Sequence, residues 1–166
     1  MGTGQVRQKC EAKLRSLALP RPFTVDAFCD ALARERGRPV RLVPMPSGTG
    51  TPCGMWLSTP EADYVFHQVA TSPLHQEHII LHELAHMIFD HAAVRGPTDE
   101  LRKRLLPALD PEMVAAVLAR TSYTSEQEQE AETLADLIGG RARRRHVQPG
   151  SDHTFARALD VFGPET

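Results

Sequence analysis

The five residues His82-Glu83-Leu84-Ala85-His86 constrain this chain more than any other feature. Two histidines four residues apart lie on the same face of a helix, one turn from each other, so both imidazoles can bind one metal ion at roughly 2.1 Å. A helix is predicted here because Ser72-Pro73 supplies an N-cap residue followed by proline at the first helical position. We therefore expect a metal-binding helix from Ser72 to about His91.

Glu83 directly follows the first histidine of this motif. In that position a carboxylate can take a proton from water and pass it to a leaving amine, while zinc activates the water. A chance match to the motif in a chain of this length has a probability on the order of a few per cent. The sequence thus predicts zinc bound by His82 and His86, with Glu83 as the catalytic base.

A catalytic zinc ion needs a third protein ligand. The third histidine of metzincins is absent, because Phe89 and Ala92 occupy the positions of its glycine and histidine. His78 shares the helix face but lies about 12 Å from His86 along the axis, which excludes it from the same ion. The remaining source is a carboxylate on a later helix, predicted over 125–145.

Helical phase separates the carboxylates of that later helix. Glu130 projects within the apolar arc that contains Leu134, where an unpaired carboxylate would be costly. We therefore predict Glu130 as the third ligand. Glu126 and Glu128, at the margins of the arc, remain the alternatives.

The rest of the chain indicates an α+β domain spanning 1–166. We expect an N-terminal helix within 1–22, a catalytic core over 23–140 and a C-terminal tail or helix over 141–166. The core should hold a small antiparallel three-stranded sheet in a zincin-like arrangement. The other predicted helices cover 4–19, Thr24 or Asp26 to Gly37, 101–109, 111–120 and 154–162. The predicted strands cover 40–45, 53–58 and 62–70, with a loop over 46–52 and a hairpin turn over 58–61.

Composition excludes several classes of function. A net charge of −2 gives no reason to expect direct nucleic-acid binding, and the basic run 141–146 is interpreted as the cationic end of a helix. No apolar run is long enough to span a membrane, and no signal peptide is evident. Three widely spaced cysteines form no disulfide framework. We therefore expect a cytoplasmic location.

Two groups of polar residues have more than one possible role. Tyr64, Tyr123 and His153 are each candidates to stabilise an oxyanion. Asp90 and His91 either orient a ligand imidazole or form a polar helix end.

The motif helix, together with the downstream segment 128–138, resembles the ImmA/IrrE family of metallopeptidases. That segment follows the pattern Glu-x-Glu-Ala-x-x-apolar-Ala-x-x-apolar-apolar. The similarity covers roughly 24–140 in element order and is specific over the two motifs. The chain departs from the family at Glu132, where asparagine is usual, at Leu134, where phenylalanine is usual, and in a longer segment over 97–123.

The resemblance implies that His82, His86 and Glu130 bind zinc and that Glu83 is the base. It also implies a protein substrate, such as a helix-turn-helix transcriptional regulator encoded nearby. The alternatives are a zinc-containing binding module that sequesters a regulator, in a toxin–antitoxin-like pair for example, and a metal hydrolase of another substrate class. We expect an extended substrate segment to pair with an edge strand, either 62–69 or 53–58.

Overall fold

The computed structural model describes residues 2–45, 53–91, 94–95 and 123–146. These residues form a mixed α+β arrangement. Its elements are α1 (Thr3–Ser16), α2 (Val25–Arg36), β1 (Val40–Met45), β2 (Gly54–Ser58), β3 (Asp63–Gln68), α3 (Pro73–Ile88), β4 (Val94–Arg95) and α4 (Ser125–His146). The expected loop over 46–52 and the expected helices over 101–109, 111–120 and 154–162 lie outside the described residues.

The strands form one sheet in the order β1-β3-β2-β4. β2 and β3 make the predicted antiparallel hairpin, whose turn is closed by a hydrogen bond of 2.9 Å from the Thr59 N–H to the Ala62 carbonyl. β1, however, runs parallel to β3, with Val40 opposite Asp63. The expectation of an antiparallel sheet was therefore wrong, and the sheet is mixed.

The position of β3 explains this difference. Three successive strands suggest a meander, but the chain between β1 and β3 is long enough for a crossover, and β2 lies within it. β3 is buried from Asp63 to His67, whereas β1 is only partly buried. Burial on both faces is typical of a central strand. The nearly continuous apolar run 62–66 was the signal in the sequence for this central position.

Helices α2 and α3 begin where the sequence predicts. The Thr24 side chain accepts a hydrogen bond from the Ala27 N–H, and Gly37 ends α2 with a left-handed φ of 70°. The Ser72 side chain likewise accepts from the His75 N–H at the start of α3. At the start of α4 the cap is Thr124, whose hydroxyl accepts from the Gln127 N–H at 3.2 Å.

The hydrophobic core lies between the helices α1, α2, α3 and α4 and one face of the sheet. α3 packs on α4 and on strands β2 and β3, and α1 packs on α4. Val6, Cys10 and Leu14 of α1 are buried in the same cluster as Leu134 and Ile138 of α4. Burial of this apolar surface, at about 25 cal/mol per Å², holds the metal-motif helix against α4.

A buried carboxylate joins the sheet to α2. Asp63 has no exposed surface and accepts hydrogen bonds from Arg36 Nε and Arg38 Nε, both at 2.8 Å. It also accepts one from the Trp56 indole N–H at 3.0 Å. Although burial opposes ionisation, these donors hold the pKa of Asp63 below its usual value. The network fixes β2, which lines the candidate site described below. None of the described helices is long and apolar enough to cross a membrane.

Candidate metal centre

Helices α3 and α4 bring two imidazoles and one carboxylate together. His82 Nε2 lies 3.1 Å from His86 Nε2 and 3.3 Å from an oxygen of Glu128. The other oxygen of Glu128 lies 3.7 Å from His86 Nε2. A tetrahedral ion with bonds of about 2.1 Å separates its ligand atoms by about 3.4 Å. The three side chains are therefore close enough together to hold a metal ion.

The carboxylate in this position is Glu128, one of the two alternatives, and not Glu130. Glu130 is buried and bonded elsewhere: its Oε2 lies 2.8 Å from His91 Nε2, and its Oε1 accepts a hydrogen bond from the Lys9 ammonium group. Helical phase correctly directed Glu130 toward the core. It did not reveal that α1 and His91 occupy that side of α4. Glu126, the other alternative, is not in the metal-fitting group.

The surroundings of Glu130 favour its ionised form. Burial works against its charge, but the hydrogen bonds from Lys9 and His91 outweigh that effect and hold the pKa of the carboxyl below its usual range. The expected buried carboxylate with a compensating partner is thus present. Its partners are a lysine and a histidine.

His86 is completely buried and is held by His91, whose Nδ1 lies 2.9 Å from His86 Nδ1. The chain reaches this position through Asp90, which has a left-handed φ of 52° and lets the His91 N–H donate to the His86 carbonyl at 3.0 Å. Of the two open candidates, His91 therefore contacts the His86 imidazole, and Asp90 shapes the end of α3. Burial, followed by the proximity of His82 and His91, lowers the pKa of His86 to about 3.

His82 is held from its other side by Glu132. Nδ1 of His82 donates to one oxygen of Glu132 over 3.1 Å, and His78 Nε2 lies 3.1 Å from the other oxygen. An ionised carboxylate only accepts, so His82 Nδ1 donates to Glu132, and this contact turns Nε2 toward His86 and Glu128. His78 lies outside the set of three, as expected from its distance along α3.

His78, Glu132 and Asp136 form a second group that could hold a metal ion. Glu132 contacts Nε2 of His78, whereas Asp136 lies 3.8 Å from Nδ1, on a different side of the ring. Both carboxylates are more than half exposed. The geometry for a tightly bound ion is therefore poorer here than between His82, His86 and Glu128.

Glu83 lies in the same cleft, with 7% of its surface exposed. The backbone N–H of Trp56 donates to its carboxylate, and no described residue bonds to its Oε2. Burial, then the charge of Glu128, raises the pKa of Glu83 to about 8. A carboxyl group that exchanges its proton near neutral pH suits general acid–base chemistry.

Gly54 of β2 permits this placement of Glu83. A Cβ atom at Gly54 would lie 2.9 Å from both Cγ and Oε1 of Glu83 and 2.8 Å from Cγ2 of Ile79. Only glycine therefore lets β2 approach the side of α3 that carries Glu83 so closely. Gly54 was not among the residues singled out from the sequence. Its position at the start of a strand was its one signal.

Tyr123 is the aromatic candidate that the structure brings into the centre. Its ring stacks on His86 with 3.6 Å between centroids, and its buried hydroxyl has no hydrogen-bond partner among the described residues. Burial, then the charges of Glu83 and Glu128, raises the pKa of Tyr123 above its usual value, so the phenol keeps its proton. Tyr64 is buried in β3 and does not line the cleft, and His153 lies outside the described residues.

The cleft that contains these groups has a volume of about 430 Å³. Its walls are the face of α3 that carries His82 and Glu83, the start of α4 and residues 53–55 at the start of β2. The cleft is open, and imidazole and carboxylate side chains converge in it. Comparison of the chain with known protein families, curated proteins and solved structures gave no match.

Proposed function

We propose that this protein is a zinc-dependent endopeptidase, with His82, His86 and Glu128 as the metal ligands. The observation that supports this most directly is the convergence of two imidazole nitrogens and a carboxylate at 3.1–3.7 Å. One proton can bridge the two nitrogens, but Glu128 adds a third electron-pair donor and a negative charge. A divalent cation satisfies all three donors at once.

The chain's own residues supply the remaining chemistry. When bound, zinc polarises the scissile carbonyl group and makes a water molecule more acidic. Glu83 takes the proton from the attacking water and passes it to the leaving amine, for which its raised pKa is suited. The Tyr123 hydroxyl, protonated and without another partner among the described residues, donates a hydrogen bond to the developing oxyanion.

The strand order supports a proposal for where a substrate backbone binds. β3 is paired on both sides and cannot accept another strand, which removes one of the two expected edge strands. β2 is paired by β4 only at Leu57 and Ser58, so within the described part of the chain no strand pairs with that side of residues 54–56, where the Trp56 N–H donates to Glu83 beside the cleft. We propose that an extended segment of a protein substrate pairs there, which favours cleavage of flexible linkers.

A transcriptional regulator is the proposed substrate, and this part of the proposal rests on the resemblance of 128–138 and the motif helix to the ImmA/IrrE family. Cleavage sites mapped by mass spectrometry should lie in linkers of the regulator encoded beside this gene. A cut inside a stably folded helix, without prior unfolding, would contradict pairing at the β2 edge.

Metal analysis tests the site itself. We expect about one zinc ion per chain, and loss of stoichiometric zinc in His82→Ala, His86→Ala and Glu128→Gln. Glu126→Gln is the matched control, because it removes the same charge from the same helix two residues earlier. Full zinc retention in both histidine variants would refute the assignment.

Activity is tested separately from metal binding. Glu83→Gln should keep zinc and the fold but lose hydrolysis, because it removes the base and leaves the ligands. If wild type and Glu83→Gln cut the authentic substrate equally well, the protein is not this kind of peptidase. If wild type binds a regulator tightly and cuts nothing, sequestration is the function.

A further inference from the structure

A buried chain of hydrogen bonds leads away from the candidate metal centre to the N-terminal helix. It starts at His86, passes through His91 to Glu130 and ends at Lys9 of α1. His86, His91 and Glu130 each have at most 7% of their surface exposed, whereas Lys9 is about half exposed. Of the three buried members, His86 lines the open cleft and the other two do not.

The direction of each hydrogen bond follows from the acceptor at its end. Glu130 is a carboxylate and only accepts, so His91 donates through Nε2 over the 2.8 Å contact. A neutral imidazole protonated on Nε2 has its lone pair on Nδ1. His91 Nδ1 therefore accepts, and the proton in its 2.9 Å contact with His86 lies on Nδ1 of His86.

The proton on Nδ1 leaves His86 in the tautomer that can bind a metal ion. Its lone pair is then on Nε2, the atom that lies 3.1 Å from His82 Nε2 and faces Glu128. The reverse tautomer would put a proton where the ion must bind. Lys9 balances the charge of Glu130, so the carboxylate can stay ionised within the core.

We propose that Glu130 is a positioning residue that acts through His91 to fix the metal-binding tautomer of His86, and that Lys9 of α1 completes this chain. The inference deepens the proposed function and rests on it for its metal. Glu130, predicted from the sequence as a ligand, then influences the ion across one intervening imidazole. The N-terminal helix becomes part of the metal centre, because α1 provides the last member of the chain.

Nitrogen-15 NMR of the metal-free protein near pH 8 tests the tautomer without metal or activity. We expect His86 protonated on Nδ1 and His91 on Nε2 in wild type. In Glu130→Gln both tautomers of His86 should appear, because an amide can present either its oxygen or its NH₂ group to His91. A wild-type His86 protonated on Nε2 would overturn the proposal.

Zinc affinity, measured by competition with a chelator, is the second readout. Glu130→Gln and His91→Phe should each bind zinc about 10–100-fold more weakly than wild type. Phenylalanine keeps the stacking of His91 on Phe89 and removes only the hydrogen bonds. Glu11→Gln, which removes an exposed carboxylate from α1, is the control and should bind like wild type. Unchanged affinity in His91→Phe would overturn the proposal even if Glu130→Gln failed to fold.

Cobalt substitution separates a positioning residue from a ligand. The visible spectrum of the cobalt-loaded protein should keep its shape in Glu130→Gln and change in Glu128→Gln, because only the latter alters the coordination. If the spectrum of Glu130→Gln changes in the same way as that of Glu128→Gln, Glu130 is a ligand, and the proposal that it is a positioning residue is overturned. If wild type binds no metal, the proposed function fails, whereas the NMR experiment still decides the tautomer.

Discussion

Replacement of Glu83 by glutamine should stabilise the metal-free protein at pH 8. The carboxyl is nearly fully buried, and its pKa is raised from 4.5 to about 8, so ionisation in the folded state is costly. One pKa unit corresponds to about 1.4 kcal/mol. The rise in the pKa of Glu83 therefore sets an upper bound of about 5 kcal/mol on the stability that its ionisation costs. We expect Glu83→Gln to gain about 2–5 kcal/mol in free energy of unfolding.

The sign and the pH window follow from proton linkage. Between about pH 4.5 and 8 the folded state holds a proton on Glu83 that the unfolded state has released, so wild-type stability falls as pH rises through this window. Glutamine does not titrate. The free energy of unfolding of Glu83→Gln should therefore exceed that of wild type by less than about 1 kcal/mol at pH 5. From pH 5 to pH 8 this difference should grow by up to about 1.4 kcal/mol per pH unit.

Urea denaturation of chelator-treated protein at pH 5, 6.5 and 8 measures this difference. Glu77→Gln is the matched control on the same helix, and it should differ from wild type by less than about 0.5 kcal/mol at every pH. Zinc should shrink the advantage of Glu83→Gln, because a nearby cation stabilises the ionised carboxylate. An advantage that is absent at pH 8, or equal at pH 5 and pH 8, would refute the burial argument.

Three further variants test the surroundings of the centre. Gly54→Ala should lower peptidase activity at least 10-fold and leave zinc bound, because its Cβ would lie 2.9 Å from Oε1 of Glu83. Gly4→Ala, which has open space around it, is the control in the same peptidase and metal assays. Tyr123→Phe should lower kcat about 100–1,000-fold with unchanged zinc content, and an unchanged kcat would exclude the phenol as the oxyanion donor. Asp63→Asn should lower the free energy of unfolding, measured by urea denaturation, by about 3–5 kcal/mol, because it leaves Arg36 and Arg38 without their buried carboxylate. A loss below about 1 kcal/mol would show that water replaces the carboxylate as the partner of these arginines.

Local signals in the sequence were sufficient for the main elements. Cap residues and helical spacing predicted the starts of α2, α3 and α4 nearly to the residue, although α3 ends at Ile88 and not near His91, and turn residues predicted the β2–β3 hairpin. The direction of β1 was not predictable in this way, because a parallel pairing depends on where the crossover passes. Tyr123 could be named as a candidate, but its stacking on His86 is a tertiary contact that no local pattern encodes.

The carboxylates of α4 show why helical phase alone could not assign the third ligand. Glu128 and Glu132 are one turn apart and share a face, and the structure places both beside His82, on its Nε2 and Nδ1 sides respectively. Glu130, midway between them in sequence, is rotated by about 200° from each and enters the core. Phase distinguished these two sides of the helix correctly. Which side meets the imidazoles depends on how α3 packs on α4, and α1 already covers the inner side with Lys9 and Cys10. A carboxylate that helical phase directs into the core therefore needs a partner. The packing of the neighbouring helices decides whether that partner is a metal ion or a side chain that contacts one of the ligands of the metal ion.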